Sequence, residues 1–206
     1  MRALLIIGAL FMTLSGSAQV FKSGLMAGIS GSQVEGDGYG GYKKMGFIVG
    51  GFANTDLSEK MTLQFEVYFI NKGSFDPARP SKGDVDMFKL NTNYVEVPLA
   101  LFYHYDRWDF EGGFYLAKFL SYSLEDEFGP RDINQFPIKS FDFGGFLGIG
   151  YHIHERLILN IRSKNSLVPF RDFQNFDQNI GLLNKLFNNG WYHVDINFSL
   201  RYQFGE

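Results

Sequence analysis

The segment from Tyr192 to Phe204 constrains the fold of this chain more than any other part of the sequence, because apolar and polar residues alternate along it without interruption. The apolar positions are Tyr192, Val194, Ile196, Phe198, Leu200, Tyr202 and Phe204, and the polar ones are His193, Asp195, Asn197, Ser199, Arg201 and Gln203. A period of two residues is that of a β-strand with one apolar face. At ~3.3 Å per residue and a tilt of ~40°, the ten steps from Tyr192 to Tyr202 cover about 25 Å, the height of the apolar band of a transmembrane barrel. Strands of soluble sandwiches are usually only ~5–6 residues long.

The same alternation recurs upstream and predicts eight strands. They cover approximately residues 23–31, 44–53, 62–69, 94–103, 108–120, 140–151, 156–164 and 192–204. Short connections, at residues 54–59, 105–107 and 152–156, alternate with long ones, at residues 32–42, 73–87, 123–137 and 166–190. Transmembrane barrels have short periplasmic turns and long outer loops, whereas a soluble β-sandwich gives no reason for this alternation. The sequence therefore predicts an all-β fold, an eight-stranded antiparallel up-and-down transmembrane β-barrel in the bacterial outer membrane, with both termini periplasmic.

The first residues have the pattern of an export signal. Arg2 precedes an apolar stretch over residues 3–14, and the small residues Gly16, Ser17 and Ala18 follow it. The stretch is too short for a membrane anchor, which needs about 20 residues. We expect residues 1–18 to be a cleaved signal peptide and residues 19–206 to be the barrel domain.

Composition excludes several classes of function. The chain has no Cys, so it has neither a disulfide framework nor a thiolate metal site. Its formal net charge of −3 argues against a nucleic-acid partner, which favours a basic surface.

Two motifs and the signal peptide carry a family resemblance. The run from Asn93 to Leu99 has the pattern Tyr-x-Glu-x-Pro-Leu, and Gly144 to Tyr151 is a Gly-rich strand. With the signal ending Ser17-Ala18-Gln19, they resemble the PorT-type outer-membrane β-barrel family (OMP_b-brl). The resemblance implies an eight-stranded outer-membrane barrel and, for the family's namesake, a part in type IX protein secretion. We therefore expect a non-enzymatic protein with a structural or accessory role in a secretion or assembly complex. The alternatives are a lipid-modifying outer-membrane enzyme and a small-solute pore.

The polar faces of the strands predict a charged lumen. Its candidate members are Glu66, Glu96, Asp142, Arg162, Asp195 and Arg201, with Glu111 and Lys164 on the same faces. The interior of an eight-stranded barrel is just wide enough for side chains to fill, and charges removed from water must pair. A charge-compensated plug is thus expected rather than an ion path or proton relay, with Arg162 and Arg201 paired to acids among Glu66, Glu96, Asp142 and Asp195.

Three histidines are weaker candidates. His152 and His154 share one side of an extended segment, but the sequence offers no third ligand, so a solvated turn is predicted rather than a metal site. His193 with Ser166 or Ser199 lacks any nucleophile motif. No catalytic, metal-binding or cofactor-binding residue is predicted, and no cofactor.

The last long loop is the candidate contact surface, because it is rich in large apolar residues. These include Phe173, Phe176, Leu183, Leu186 and Phe187, and residues 180–187 have helical spacing. Exposed apolar patches commonly mark contact sites. The loop either binds outer-membrane or secretion-complex proteins or folds down as a lid that packs on Phe75 or Phe128. Membrane lipid is the other expected partner.

Overall fold

The computed structural model describes residues 21–82, 86–131, 137–172 and 190–204. Its eight main strands are β1 (Phe21–Glu35), β2 (Lys44–Ser58), β3 (Met61–Asp76), β4 (Phe88–Tyr105), β5 (Trp108–Asp126), β6 (Phe141–His154), β7 (Leu157–Ser166) and β8 (Gly190–Gln203). Each strand pairs antiparallel with the next, and β8 pairs with β1 from Tyr192–Glu35 to Gln203–Gly24, which closes the barrel. The predicted eight-stranded up-and-down barrel is confirmed. The predicted signal peptide, residues 1–18, lies outside the described residues.

The apolar residues of the alternating pattern face outward and the polar residues face the lumen, as in a membrane barrel. On β8, Phe198, Leu200 and Tyr202 point outward and are exposed, whereas Ser199 and Arg201 point inward and are buried. A soluble sheet would bury the apolar face instead. The same exposed band continues around the wall through Phe65, Val67, Leu99, Leu101, Phe114, Leu116, Leu147, Ile149, Leu159 and Ile161. Its residues therefore face lipid.

The barrel has two different ends. The turn end carries two-residue turns at residues 59–60, 106–107 and 155–156, together with the start of β1 and the end of β8. In the second of these turns Asp106 has a φ of 55°, a left-handed conformation that Asp tolerates better than most residues. Exposed aromatic side chains ring this end, among them Tyr103, Tyr105, Trp108 and Tyr202. Such a girdle marks a membrane–water interface. The opposite, loop end carries the long connections.

The wall is tall on one side and low on the other. β3, β4 and β5 have 16, 18 and 19 residues, whereas β7 has 10. Residues 32–35, 73–76 and 123–126 belong to strands, so three of the long loops are shorter than the sequence predicts. The predicted turn at residues 54–59 is also strand as far as Ser58. The described strands therefore continue beyond the apolar band.

The polarity of the two faces inverts in this extension. On the outside, Asn91 donates a hydrogen bond to Ser123 Oγ at 3.2 Å, and Asn93 donates one to Ser121 Oγ at 3.0 Å. On the inside of the same strands Leu90 is completely buried, and Tyr122 and Leu124 pack in the same apolar cluster. The inward Thr92 is polar and donates its hydroxyl to the carbonyl oxygen of Lys72 at 3.0 Å. This is the pattern of a sheet surrounded by water. The sequence predicts loops here because strands are recognised by apolar residues outside and polar residues inside, and that pattern stops where the polarity inverts.

On β4 the polarity inverts without a bulge, whereas on β5 a β-bulge keeps the apolar residues facing inward. Asn93 lies opposite Ser121 and Tyr94 lies opposite Phe119, so Leu120 is an extra residue. Below the bulge the odd-numbered residues of β5 face the lumen, and above it the even-numbered ones do, beginning with Tyr122. One inserted residue exchanges the two faces of a strand.

Apart from strands, the described residues include one short 3₁₀ turn, Pro80–Lys82. Within those residues, no helix is long and apolar enough to cross a membrane.

Candidate functional site

The lumen holds a buried network of charged side chains. The structure places all six candidate residues, Glu66, Glu96, Asp142, Arg162, Asp195 and Arg201, inside the barrel, together with Lys72, Glu111 and Lys164. They separate into two groups, which we call the arginine cluster, nearer the turn end, and the lysine cluster, nearer the loop end.

The arginine cluster consists of Glu66, Glu111, Asn160, Arg162 and Arg201. Arg162 donates to both oxygens of Glu66, from Nη1 at 2.9 Å and from Nη2 at 2.8 Å, and its Nε donates to Glu111 Oε1 at 2.8 Å. Arg201 Nη1 donates to Glu111 Oε2 at 3.2 Å, and Asn160 donates to Glu111 Oε1 at 3.0 Å. Two guanidinium groups thus face two carboxylates, and the cluster is electrically balanced.

The backbone of β6 leaves room for this cluster. A Cβ on Gly148 would lie 2.3 Å from Glu111 Oε1 and 2.7 Å from the backbone carbonyl oxygen of Ile161, which cannot move aside as a side chain can. The Gly-rich pattern of this strand therefore has a packing explanation at the position facing Glu111.

The lysine cluster consists of Lys72, Glu96, Asp142, Lys164 and Asp195. Lys72 Nζ lies 3.0 Å from Glu96 Oε1 and 3.0 Å from Asp142 Oδ2, and Lys164 also donates to Glu96. Asp195 Oδ2 lies 3.8 Å from the ammonium nitrogen of each lysine. Three carboxylates face two ammonium groups, so one carboxylate is in excess.

The pairing differs in part from the one expected from sequence. Arg162 and Arg201 do pair with Glu66, but their second acid is Glu111. Glu96, Asp142 and Asp195 pair with the two lysines. Sequence reasoning missed Lys72 because the strand was ended before it. The even-numbered residues of β3 face inward, and Lys72 continues that series, so the alternation itself indicates its position in the lumen.

An apolar plug closes the lumen at the loop end. It consists of the buried residues Val34, Leu90 and Phe170, with Phe88, Tyr122, Leu124, Ile138 and Trp191 packed on them. Phe170 stacks on the ring of His193 with the ring centres 3.9 Å apart. Beside the arginine cluster, an interior cavity has a volume of about 10 Å³, roughly the space of one water molecule.

The candidates of the last loop divide between described and undescribed residues. Phe173, Phe176, Leu183, Leu186 and Phe187, like the predicted helix at residues 180–187, lie outside the described residues. Phe170, from the start of the same loop, folds into the mouth as the lid alternative expects. Of the two residues on which the lid was expected to pack, Phe75 is half-buried and Phe128 is 80% exposed.

The His193 environment does not have the geometry of a hydrolase. Ser166 Oγ accepts a hydrogen bond from the backbone nitrogen of His193 at 3.2 Å, whereas the His193 ring lies 3.4 Å from the hydroxyl of Tyr94. A nucleophile must contact the ring nitrogen of its base.

A vestibule of about 520 Å³ opens at the turn end. Its lining includes Lys22, Asp56, Thr62, His104, Asp109 and His152. His104 Nδ1 and His152 Nε2 each lie 2.7 Å from a different oxygen of Asp109. His154, the other candidate, is exposed and is not part of this lining. The sequence analysis did not predict that His152 lies close to His104 and Asp109, which come from the neighbouring hairpin.

Comparison with known proteins identifies the family. A family model described as outer membrane protein beta-barrel domain matches residues 17–171. A search of curated proteins gives no match.

Two solved structures show the same fold. The attachment invasion locus protein Ail of Yersinia pestis, solved in complex with the heparin analogue sucrose octasulfate, is 12% identical, with 89% of this chain and 99% of that chain covered and a TM-score of 0.50. Neisserial surface protein A is 10% identical, with 88% and 97% covered and a TM-score of 0.54. At these identities the similarity concerns the fold alone.

Proposed function

This chain belongs to the outer membrane protein beta-barrel domain family, and we propose that it is a non-conducting, non-enzymatic anchor that presents its loop end outside the cell. The observation that carries the proposal is the combination of a filled lumen with a wall that extends beyond the apolar band.

The filled lumen argues against the pore. The arginine cluster, the lysine cluster and the apolar plug follow one another along the barrel axis, and an ion would have to displace paired, buried charges to pass. Breaking a buried ion pair on one side costs about 3–5 kcal/mol. Transport through the lumen is therefore not the function that we propose.

The strand ends beyond the apolar band, residues 73–76, 88–93 and 121–126, form a platform for the loops. On its outer face Lys89 pairs with Glu125 at 3.4 Å, next to the hydrogen-bonded pair Asn91 and Ser123. At the upper end of β3, the hydrogen bond from Lys43 lowers the pKa of Asp76 below its ordinary value. Six residue pairs of β4 and β5, from Asn93–Ser121 to Phe88–Asp126, lie above the bulge and make a paired ribbon about 17 Å long, five steps of ~3.4 Å. Rigid strands thus hold the loops away from the lipid, where a macromolecular partner can reach them.

The narrower proposal is a PorT-type accessory role in protein secretion or assembly. It is supported by the resemblance of residues 93–99, which lie on β4 and contribute Glu96 to the lysine cluster. The loop residues Phe173, Phe176, Leu183, Leu186 and Phe187 are the proposed partner contacts. An enzymatic role finds no support in the His193 environment described above.

Orientation is tested with two matched cysteine variants. Glu127 and Glu59 are both exposed, at the loop end and the turn end respectively. We expect a membrane-impermeant maleimide to label Glu127→Cys on intact cells and to leave Glu59→Cys unlabelled until the outer membrane is permeabilised. Labelling of Glu59→Cys alone would refute the orientation.

The partner role is tested with the double variant Leu183→Ser, Leu186→Ser. Folding is scored by heat-modifiable electrophoretic mobility, and bound proteins are scored after detergent extraction. Intact folding with loss of co-purifying secretion components supports the docking role, whereas loss of folding supports a lid. Intact folding with an unchanged set of co-purifying proteins would remove the proposed role from this loop.

A further inference from the structure

We propose that the vestibule at the turn end is a binding site for a divalent transition-metal cation, Zn²⁺ in the test below, held by His104, Asp109 and His152. A water molecule from the vestibule would complete the coordination. This inference rests on the turn-end geometry alone and is independent of the proposed function.

The hairpin register brings the three ligands together. His104 and Asp109 lie opposite each other across the two-residue turn between β4 and β5. On its other side Asp109 lies opposite Gly150 of β6, and the inward-facing residue two positions further along is His152. One carboxylate is therefore flanked by two imidazoles, and one ligand atom from each residue lies within 4.8 Å of the other two.

The hydrogen-bond donors around His104 require a positive charge at this point. Lys22 and the Thr62 hydroxyl both donate to Asp56, each at 2.7 Å, so Thr62 has given away its single proton. His104 Nε2, 2.8 Å from Thr62 Oγ1, must then be the donor of that contact.

A neutral imidazole that is protonated at Nε2 presents a bare lone pair at Nδ1. That lone pair points at an oxygen of Asp109 only 2.7 Å away. Two lone pairs at this distance repel each other unless His104 carries a second proton or a metal ion binds both atoms from the vestibule. His152 presents a second nitrogen to the same carboxylate at 2.7 Å, so a metal ion would satisfy all three groups at once.

The surroundings fit a bound cation. Metal-binding histidines commonly donate their other ring N–H to an oxygen, and the contact from His104 through Thr62 to Asp56 is such a support. Glu59 and Glu155 line the same vestibule with Asp56 and Asp109, so its carboxylates outnumber the two cations of the lining, Lys22 and Arg201. Two imidazoles and a carboxylate, with an open position for water, are a donor set that suits Zn²⁺ rather than Ca²⁺ or Mg²⁺, which prefer oxygen ligands.

Only small movements are needed for coordination. Zinc–nitrogen and zinc–oxygen bonds of about 2.0–2.2 Å place neighbouring ligand atoms roughly 3 Å or more apart, so the imidazoles must move outward slightly. The His104 and His152 side chains are 31% and 29% exposed, so they have room to rotate, whereas Asp109 is almost fully buried and fixed.

The test is zinc titration of the untagged, refolded barrel in detergent. Calorimetry measures the affinity, and the visible absorption of bound Co²⁺ reports the coordination. The variants are His104→Gln and His152→Gln, with His154→Gln as the matched control two residues away. We expect the native barrel and the control to bind one equivalent, and each of the two variants to bind more than about 100-fold more weakly. Thr62→Val, which removes only a supporting contact, should weaken binding by about 10–100-fold.

Heat-modifiable mobility establishes that each variant has folded before its affinity is measured. Should Thr62→Val fail to fold, the two glutamine variants still decide the question. Absence of saturable binding in the native barrel would assign the positive charge to a proton on His104 and overturn the proposal. Equal affinity in His104→Gln and the control, or loss of binding in the control, would overturn it as well.

Discussion

The different charge balance of the two lumen clusters makes a sharp prediction. Glu111→Gln and Asp195→Asn are the same chemical change, the loss of one carboxylate charge with little change in shape. The first leaves the arginine cluster with two cations and one anion. The second leaves the lysine cluster with two cations and two anions, which removes its excess. We expect opposite consequences for stability.

The contacts set the magnitudes. Glu111 accepts from Arg162 at 2.8 Å and from Arg201 at 3.2 Å, so its loss leaves a buried positive charge and should cost about 3–5 kcal/mol. Asp195 approaches the two ammonium groups only to 3.8 Å. Its attraction to them is offset by repulsion from Glu96 and Asp142 and by its own desolvation, so Asp195→Asn should change the free energy of unfolding by no more than about 1 kcal/mol.

The assay is reversible urea unfolding in phosphatidylcholine vesicles, followed by the fluorescence of the two tryptophans. Adding Arg201→Met to Glu111→Gln restores the balance of the arginine cluster and should recover part of the loss, which separates a charge effect from a packing effect. Equal costs for the two single substitutions, or a larger cost for Asp195→Asn, would refute the argument from charge balance.

Three further predictions concern the wall and the lumen. Deleting Leu120, the extra residue of the bulge, makes the alternation regular and leaves Tyr122 and Leu124 facing inward in the same register, so the barrel should keep its heat-modifiable folding; loss of folding would contradict the register given to the bulge. Gly148→Val places a side chain against Glu111 and should prevent folding. Gly38→Val is the comparison, because an added Cβ at this position of the first long loop meets nothing within 4 Å. The φ of Gly38 is 85°, which strains a valine, so a lower folding yield is the largest effect that we expect there. The purified barrel should carry no steady single-channel current in planar bilayers; stepwise currents that persist in the native barrel would restore the pore.

Much of the barrel could be predicted from the sequence because one physical rule, apolar toward lipid and polar toward the lumen, holds over the membrane-spanning part of every strand. That rule placed Arg162 and Arg201 on the inside correctly. Where water replaces lipid the outward side chains become polar as well, as at Asn71 of β3, and the predicted strand therefore ended before Lys72, although Lys72 itself points inward as the rule requires. A loss of the alternation is ambiguous, because it occurs both where a strand ends and where a strand leaves the lipid.

The vestibule required a different kind of information. His104, Asp109 and His152 lie on three strands, and only the pairing register brings them together. The register across the turn at residues 106–107 follows from its two-residue length and would have placed His104 opposite Asp109. The register with β6 is set across the long connection between β5 and β6, whose length does not fix which residues lie opposite each other. The choice of cation partner among several acids was unpredictable for the same reason.

The inversion of polarity above the bulge also sets the thickness of the lipid around the protein. A barrel that sank into the bilayer by two residues would draw the hydrogen-bonded amides of Asn91 and Asn93 into hydrocarbon, and one that rose would lift apolar side chains into water. The two amides and two hydroxyls would lose their contacts with water there at about 1–3 kcal/mol each, so together they cost more than a mismatch of a few Å, at a fraction of a kcal/mol per Å, costs the membrane. Lipid is therefore the softer component, and it stretches or thins to meet the protein. The loops consequently keep a constant height above the lipid surface in membranes of different composition, and a partner that binds them meets the same geometry in each.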